Sequence, residues 1–374
     1  RLKGDGSKPA LALLGHLDVV PADPKEWDHP PFEPLVKDGE LWGRGALDMK
    51  SQTAAEVVAA AQLAKSGFRP ARGALKVIVV SDEESGGALG AQFLTEQHPE
   101  AAYCDFLVNE GAGEIFEYRG QNCYSVSCAE KGVARFAVST MGVAGHAAIP
   151  RLSDNALVKL APLVERIANA EPNFVGSDVS RACLQALGED PTDPQEALAR
   201  IAADNPQLAV LIEPILQITY APTMIRASQK LNVIPAHAEL KVDCRVPPGL
   251  TGEEALQRAR DILGPAEYEI RLSELVEGNE SVVRSPLMDA IDNWLNTQDP
   301  GAVTVPTMVP GFTDSNWFRR AFPNLVAYGF FPQRHMNMFE TAPLVHAADE
   351  RIDVRDLDFA TQFFMDLPVE LLGA

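Results

Sequence analysis

Polar and apolar positions along the chain keep three successive rhythms. Up to about residue 132, short apolar runs stop abruptly at polar or acidic residues: 10–14 runs into Gly15-His16-Leu17-Asp18, 75–80 into Ser81-Asp82-Glu83-Glu84, and 106–108 into Asn109-Glu110-Gly111. Runs of this length, apolar throughout rather than alternating, predict strands covered on both faces. The Ala-rich segment 51–66 and the segment 89–98 predict helices between them. From Val133 the order changes. A strand over 133–140, an amphipathic helix over 154–170, strands at 216–226 and 237–246, a helix over 252–263 and a strand at 268–275 spell βαββαβ, the split motif of ferredoxin-like folds. The acidic, Ala-rich stretch 172–214 interrupts that motif as a helical excursion. After Asn279 the α/β pattern returns, with a helix near 286–296, a strand near 303–308, a short helix from Asp314 and a strand at 325–328. A closing helix capped by Asp353 carries Leu357, Ala360, Phe363, Phe364 and Leu367 on its apolar face. The pattern predicts an α/β domain built from 1–132 and 278–374, with the unit 133–277 inserted into it.

Composition narrows the class without changing this outline. A hydrophobic fraction of 46% and a charged fraction of 22% over 374 residues suit a soluble chain of two domains, with room for a third. No apolar run approaches the length that spans a bilayer. A formal net charge of -20 argues against nucleic acid or an anionic membrane as partner. Cys104, Cys123, Cys128, Cys183 and Cys244 form an odd, scattered set without a C-x-x-C pair, which predicts no disulfide framework and a reducing, cytoplasmic setting. The opening residues, Arg1 to Gly6, read as a hairpin in mid-fold, with neither initiator Met nor signal peptide, so part of the N-terminus is expected to be missing.

Candidate chemistry sits where the apolar runs end. His16 and Asp18 fall on one side of an extended segment, a spacing that lets an imidazole bind a metal while a carboxylate fixes its tautomer. Glu83 and Glu84 are adjacent acids after a buried strand, and crowded carboxylates resist desolvation unless a cation is near. Asp48 follows Gly43-Arg44-Gly45 and opens a helix; Glu110 ends another strand. Each has a plain structural reading: Asp48 as an N-cap, Glu83-Glu84 as a solvated acidic loop. Their recurrence at strand ends carries more weight, because ligands of open α/β sheets bind at the carboxyl ends of strands. Ser85, beside Glu83, lacks the G-x-S-x-G turn of a nucleophile elbow.

Gly15-His16-Leu17-Asp18, Gly43-Arg44-Gly45-Ala46-Leu47-Asp48-Met49-Lys50, Asp82-Glu83-Glu84-Ser85-Gly86-Gly87, Asn109-Glu110-Gly111, Gly145-His146-Ala147-Ala148-Ile149-Pro150, Asn232-Val233-Ile234-Pro235 and His346-Ala347-Ala348-Asp349-Glu350 occur in this order. The series resembles the dizinc amidohydrolases, the family of aminoacylase, glutamate-releasing carboxypeptidases, carnosinase-like dipeptidases, acetylornithine deacetylase and succinyl-diaminopimelate desuccinylase. The resemblance implies a mixed-sheet zinc-peptidase catalytic domain and an inserted ferredoxin-like lid that makes a homodimer. It implies two zinc ions per subunit, with cobalt or manganese as substitutes. Asp48 would bridge them, with His16 and Glu110 completing one site and Glu84 and His346 the other, and with a cis bond between Asp48 and Met49. Glu83 would be the general base on a metal-bridging hydroxide, and Asp18 the partner of His16. His146 would stabilise the oxyanion in the partner subunit's site. Asn232 and Arg245 would hold the substrate's carbonyl and carboxylate. Gly311-Phe312-Thr313-Asp314-Ser315-Asn316 resembles the family's Gly-Thr-Asp substrate loop, with Phe312 inserted and Asn316 where Arg is frequent; Asp314 and Asn316 are its candidates.

The family's leading helix and strand are absent before His16, so either a segment is missing or the fold is truncated and exposes a sheet edge. The expected activity is hydrolysis of an amide bond next to a free carboxylate, in an N-acyl amino acid or short peptide. The alternatives are a dipeptidase or deacylase of a biosynthetic intermediate, and a silent binding relative. His29, His98, His237 and His335 are left as structural or surface residues.

Overall fold

The computed structural model describes residues 1–373. Four neighbouring strands organise its first unit. Ala10–His16, with Leu11 to Leu14 all fully buried, lies between Ala74–Val80 and Phe106–Asn109 and runs parallel to both. Val326–Gly329 follows in parallel, and beyond it Gln121–Glu130 and Glu114–Tyr118 turn the sheet antiparallel. The predicted apolar runs are thus the central strands, displaced by a residue or two at their ends.

Both faces are covered, as runs without alternation require. On one face Ala12, Leu14, Ile78 and Val80 pack against Phe318 of the helix Ser315–Ala321. Elsewhere in the unit the helices Lys50–Lys65 and Val354–Leu372 pack together. The closing helix sets Phe359 and Phe363 around Trp294 of the helix Pro286–Gln298, with ring centroids 4.9 and 5.1 Å away. Asp353 caps it as expected, accepting from the Arg355 N–H. A small sheet of Leu35–Lys37, Glu40–Trp42 and Arg351–Asp353 ties the loop before Asp48 to the segment after His346.

The second unit holds the predicted βαββαβ. Its strands Gln217–Arg226, His237–Val246, Gly132–Met141 and Glu269–Val276 form one antiparallel sheet. The helices Ala156–Ala168 and Gly252–Leu263 bury Leu160, Leu163, Leu256 and Leu263 against Phe136, Val138, Leu240 and Val242. Thr251 and Glu254 form a reciprocal capping box at the start of the second helix.

Two expectations are corrected. The excursion is helical, as Asp178–Ala186, Pro194–Asp204 and Pro206–Leu216, but most of it belongs to the first unit. The chain divides into 1–129, 178–209 and 280–374 on one side and 130–177 and 210–279 on the other, and the helix Asp178–Ala186 packs on the strand Val303–Val309. Arg1 to Gly6 makes no hairpin: Leu2 and Lys3 pair with Leu75 and Ala74. Among the described residues no helix is long and apolar enough to cross a membrane.

Candidate metal centre

Three parallel strands deliver the first side chains. His16 is the last residue of its strand, Glu83 and Glu84 follow the next strand, and Glu110 follows the third. Asp48 comes from a loop and does not cap the helix behind it: that helix begins at Lys50, with Met49 at the N-cap position. The peptide bond between Asp48 and Met49 is cis, as the motif implied.

The Asp48 carboxylate divides between two histidines. Its Oδ1 lies 3.1 Å from His16 Nε2, and its Oδ2 lies 3.0 Å from His346 Nε2. Each imidazole nitrogen also faces a second carboxylate: Glu110 Oε2 is 3.5 Å from His16 Nε2, and Glu84 Oε2 is 3.3 Å from His346 Nε2. Donor atoms on a tetrahedral zinc with bonds of about 2.0–2.1 Å lie about 3.3 Å apart, so these four separations are edges such an ion would span. Potential ligand atoms of His16, Asp48 and Glu84, and of His16, Glu83 and Glu110, fall within 4.8 Å of one another. Oε1 of Glu84 is buried without a hydrogen-bond partner. The residues fit a pair of cations sharing one carboxylate.

Electrostatics points the same way. Burial pushes the Glu83 carboxyl up to about 10, with the nearby Glu110 charge adding to it. Glu110 is pushed to about 7 by burial. Burial and then the Asp48 charge raise Glu84. Burial would lower the His16 imidazolium, but Asp48 and Glu110 carry it up to about 12. Against the upward pull of burial, His16 and His346 hold Asp48 well below the usual carboxylate range. Three glutamates and two imidazoles that favour their protonated forms, around an ionised Asp48, mark a site built for positive charge.

Asp18 stands against His16 and has a second role. The nearer acceptor for His16 Nδ1 is the Asp18 main-chain carbonyl, at 3.0 Å, with the carboxylate at 3.5 Å. The carboxylate accepts the main-chain N–H groups of Glu83 and Glu84, each at 3.2 Å, and so pins the loop that carries both acids. Thr53 Oγ1 donates to the His16 carbonyl at 3.2 Å.

The substrate candidates divide. Asp314 is almost fully buried with neither carboxylate oxygen hydrogen-bonded, and burial followed by the Glu110 charge pushes it to about 8. Its loop is tied to the centre by Asn109 Nδ2, which donates to Ser315 Oγ at 3.0 Å. Asn316, like Asp314, is buried, at the start of the helix Ser315–Ala321. Trp317, the next residue, donates Nε1–H to the Gly86 carbonyl at 3.0 Å and meets Phe312 edge to face.

In the second unit, His146 pairs in register with Val233, and the Ala147 N–H donates to the Asn232 carbonyl at 3.1 Å, so His146 and Asn232 share one exposed corner. Ala148 N–H donates to His146 Nδ1 at 3.1 Å, which leaves the proton of the neutral ring on Nε2. Arg245 is gripped by Asp243, with Nε 2.6 Å from Oδ1.

The sequence reading missed Arg44 and Glu350. Both are buried and joined at 2.7 Å across 306 residues of chain; the only signal was their presence inside two of the quoted motifs.

Residues 12–370 match the family described as Peptidase family M20/M25/M40. The chain belongs to this family. Among curated relatives of this family member, the N-fatty-acyl-amino acid synthase/hydrolase PM20D1 of Xenopus tropicalis is 28% identical over 95% of this chain and 71% of its own length. The succinyl-diaminopimelate desuccinylase of a Burkholderia ambifaria strain is 29% identical over 93% and 79%. Among solved structures, an M20 family metallo-carboxypeptidase from Sulfolobus solfataricus shares the fold with a TM-score of 0.72 at 17% identity, over 99% of this chain and 86% of that one. This M20 chain is a hydrolytic enzyme, and its reaction is metal-dependent cleavage of an amide or peptide bond.

Proposed function

We propose that the chain hydrolyses the amide bond of an N-acyl amino acid or short peptide beside a free carboxylate, using two divalent ions, zinc or in its place cobalt or manganese. The observation that carries this reading is the division of the Asp48 carboxylate between two His–Glu pairs. When bound, such ions would lower the pKa of a shared water toward about 7 and polarise the scissile carbonyl.

The chain's own groups do the rest. Glu83, its main chain held by Asp18, takes a proton from the attacking water and returns it to the departing amine nitrogen. His146, with its ring proton on Nε2, is in the form that can donate to a developing oxyanion. Arg245, its fork oriented by Asp243, would hold the substrate carboxylate, with Asn232 on the carbonyl.

A homodimer through the inserted unit accords with its surface. Met224, Ile225, Leu231 and Val158 are exposed apolar side chains on or beside the strand Gln217–Arg226 and the helix packed against it, and that strand is open along most of one edge. A cytoplasmic setting accords with five free, buried cysteines.

The test is hydrolysis of long-chain N-acyl amino acids, N-succinyl amino acids, dipeptides and folate-like glutamates, with and without added zinc or cobalt. Metal-stimulated hydrolysis of an amide bond beside a free carboxylate is expected. Activity confined to substrates without a free carboxylate would overturn the reading.

A further inference from the structure

Four hydrogen bonds converge on one buried carboxylate outside the candidate ligand set. Glu350 is fully buried, and its two oxygens accept from Arg44 Nη1 at 2.7 Å, Gly45 N at 3.0 Å, Leu47 N at 2.6 Å and Asp48 N at 3.0 Å. Its main-chain carbonyl takes the Gly43 N–H at 3.0 Å. Every donor belongs to the loop that ends in Asp48. The Arg44 guanidinium lies over the Trp27 ring, with 5.1 Å to its centroid, and its Nη2 donates to the His346 carbonyl at 3.4 Å. One ion pair therefore touches the backbone of both Asp48 and His346.

The remaining ligands are held otherwise. His16 ends a central strand and Glu110 follows its parallel neighbour, so the sheet itself fixes their positions. His346 has no such support: its side chain is half exposed, and its backbone stands at φ 61° in a loop. His16, Glu84 and Glu110 thus stand at strand ends, whereas Asp48 and His346 stand on loops fastened by Arg44 and Glu350.

We propose that Arg44 and Glu350 are positioning residues for the metal position formed by Asp48, Glu84 and His346, where they fasten two ligands, and that the Arg44 fork on the His346 carbonyl sets the affinity of that position and not of the one formed by Asp48, His16 and Glu110. The inference rests on the two-ion reading above. Partners behind metal ligands typically alter metal affinity by roughly 10- to 100-fold. Here that effect would fall on one ion of the two.

The experiment measures stepwise zinc or cobalt affinity by chelator competition, with elemental analysis, in the wild type, Arg44→Lys, Glu350→Gln, His346→Ala and the double variant Arg44→Lys/His346→Ala. Arg44→Lys keeps a cation opposite Glu350 but loses the fork that reaches the His346 carbonyl, so it tests the inference even where Glu350→Gln fails to fold. In folded Arg44→Lys, one equivalent of metal should bind about 10- to 100-fold more weakly while the other is unchanged. Adding Arg44→Lys to His346→Ala should weaken the remaining equivalent no further. Two unchanged equivalents in Arg44→Lys, or equal weakening of both, would overturn the inference while leaving the two-ion reading in place. A wild type that takes up fewer than two ions would overturn both.

Discussion

The carboxylate of Asp18 accepts the main-chain N–H of Glu83 at 3.2 Å, so the residue two positions after His16 also fixes the backbone of the proposed base. With its backbone anchored, the Glu83 side chain can be altered without moving the loop. Glu83→Gln should lower turnover by about 10²- to 10⁴-fold, the span of general-base contributions, while metal content stays at the wild-type level. Turnover within a few-fold of wild type, measured on fully metallated protein, would remove Glu83 from that role.

Gly87 is the point where the acidic loop touches the substrate loop. It adopts φ +69°, and a methyl group there would overlap Asp314 Oδ1 and Trp317 Nε1. Gly87→Ala should therefore push the 314–317 segment away. A stability loss of about 1–2 kcal/mol is expected from the left-handed backbone alone, together with a raised KM. Metal content should not change, since no candidate ligand lies in the displaced segment. Thermal unfolding, steady-state kinetics and elemental analysis check the three parts separately.

Glu56, buried in the helix behind the centre, gives a pH signature. Burial pushes its carboxyl from 4.5 to about 8, against the lowering effect of the Gln52 hydrogen bond. Between those values the folded chain holds a proton that the unfolded chain releases, so stability falls as pH rises from about 4.5 to about 8 and then levels off. Glu56→Gln, which keeps the shape without the charge, should flatten that slope. It should be the more stable protein at pH 9, by an amount of order a few kcal/mol. Parallel denaturant titrations of the two proteins across pH 5–9 would reveal an unchanged slope if burial of Glu56 had no such effect.

Complementation tests the proposed placement of His146 across a dimer. His146→Ala and Glu83→Gln should each be nearly inactive alone. Mixed under conditions of subunit exchange, they should recover activity, because a hybrid joins an intact Glu83 in one chain to an intact His146 in the other. Mixtures that stay inactive, despite hybrid dimers seen by native mass spectrometry, would confine His146 to its own subunit or to no catalytic part.

Much of this arrangement was legible because it is local. The central strands are continuous apolar runs, and His16, Glu83, Glu84 and Glu110 were readable because each stands where such a run stops. His346 was different: a loop residue at φ 61° has no periodicity to announce it, and only the motif resemblance singled it out. Long-range packing was least visible. Leu2 pairs with Leu75 rather than within a hairpin, the helix Asp178–Ala186 packs on Val303–Val309, and Asn316 is fully buried. Arg44 and Glu350 show the limit most sharply, since neither residue's neighbours in sequence point to the other.

The central claim is that the Asp48 carboxylate bridges two ions. Anomalous scattering from crystals grown with saturating zinc tests it directly. The account predicts two peaks per chain, one between Asp48 Oδ1, His16 and Glu110 and one between Asp48 Oδ2, His346 and Glu84. A single peak, peaks away from Asp48, or none at all would contradict it.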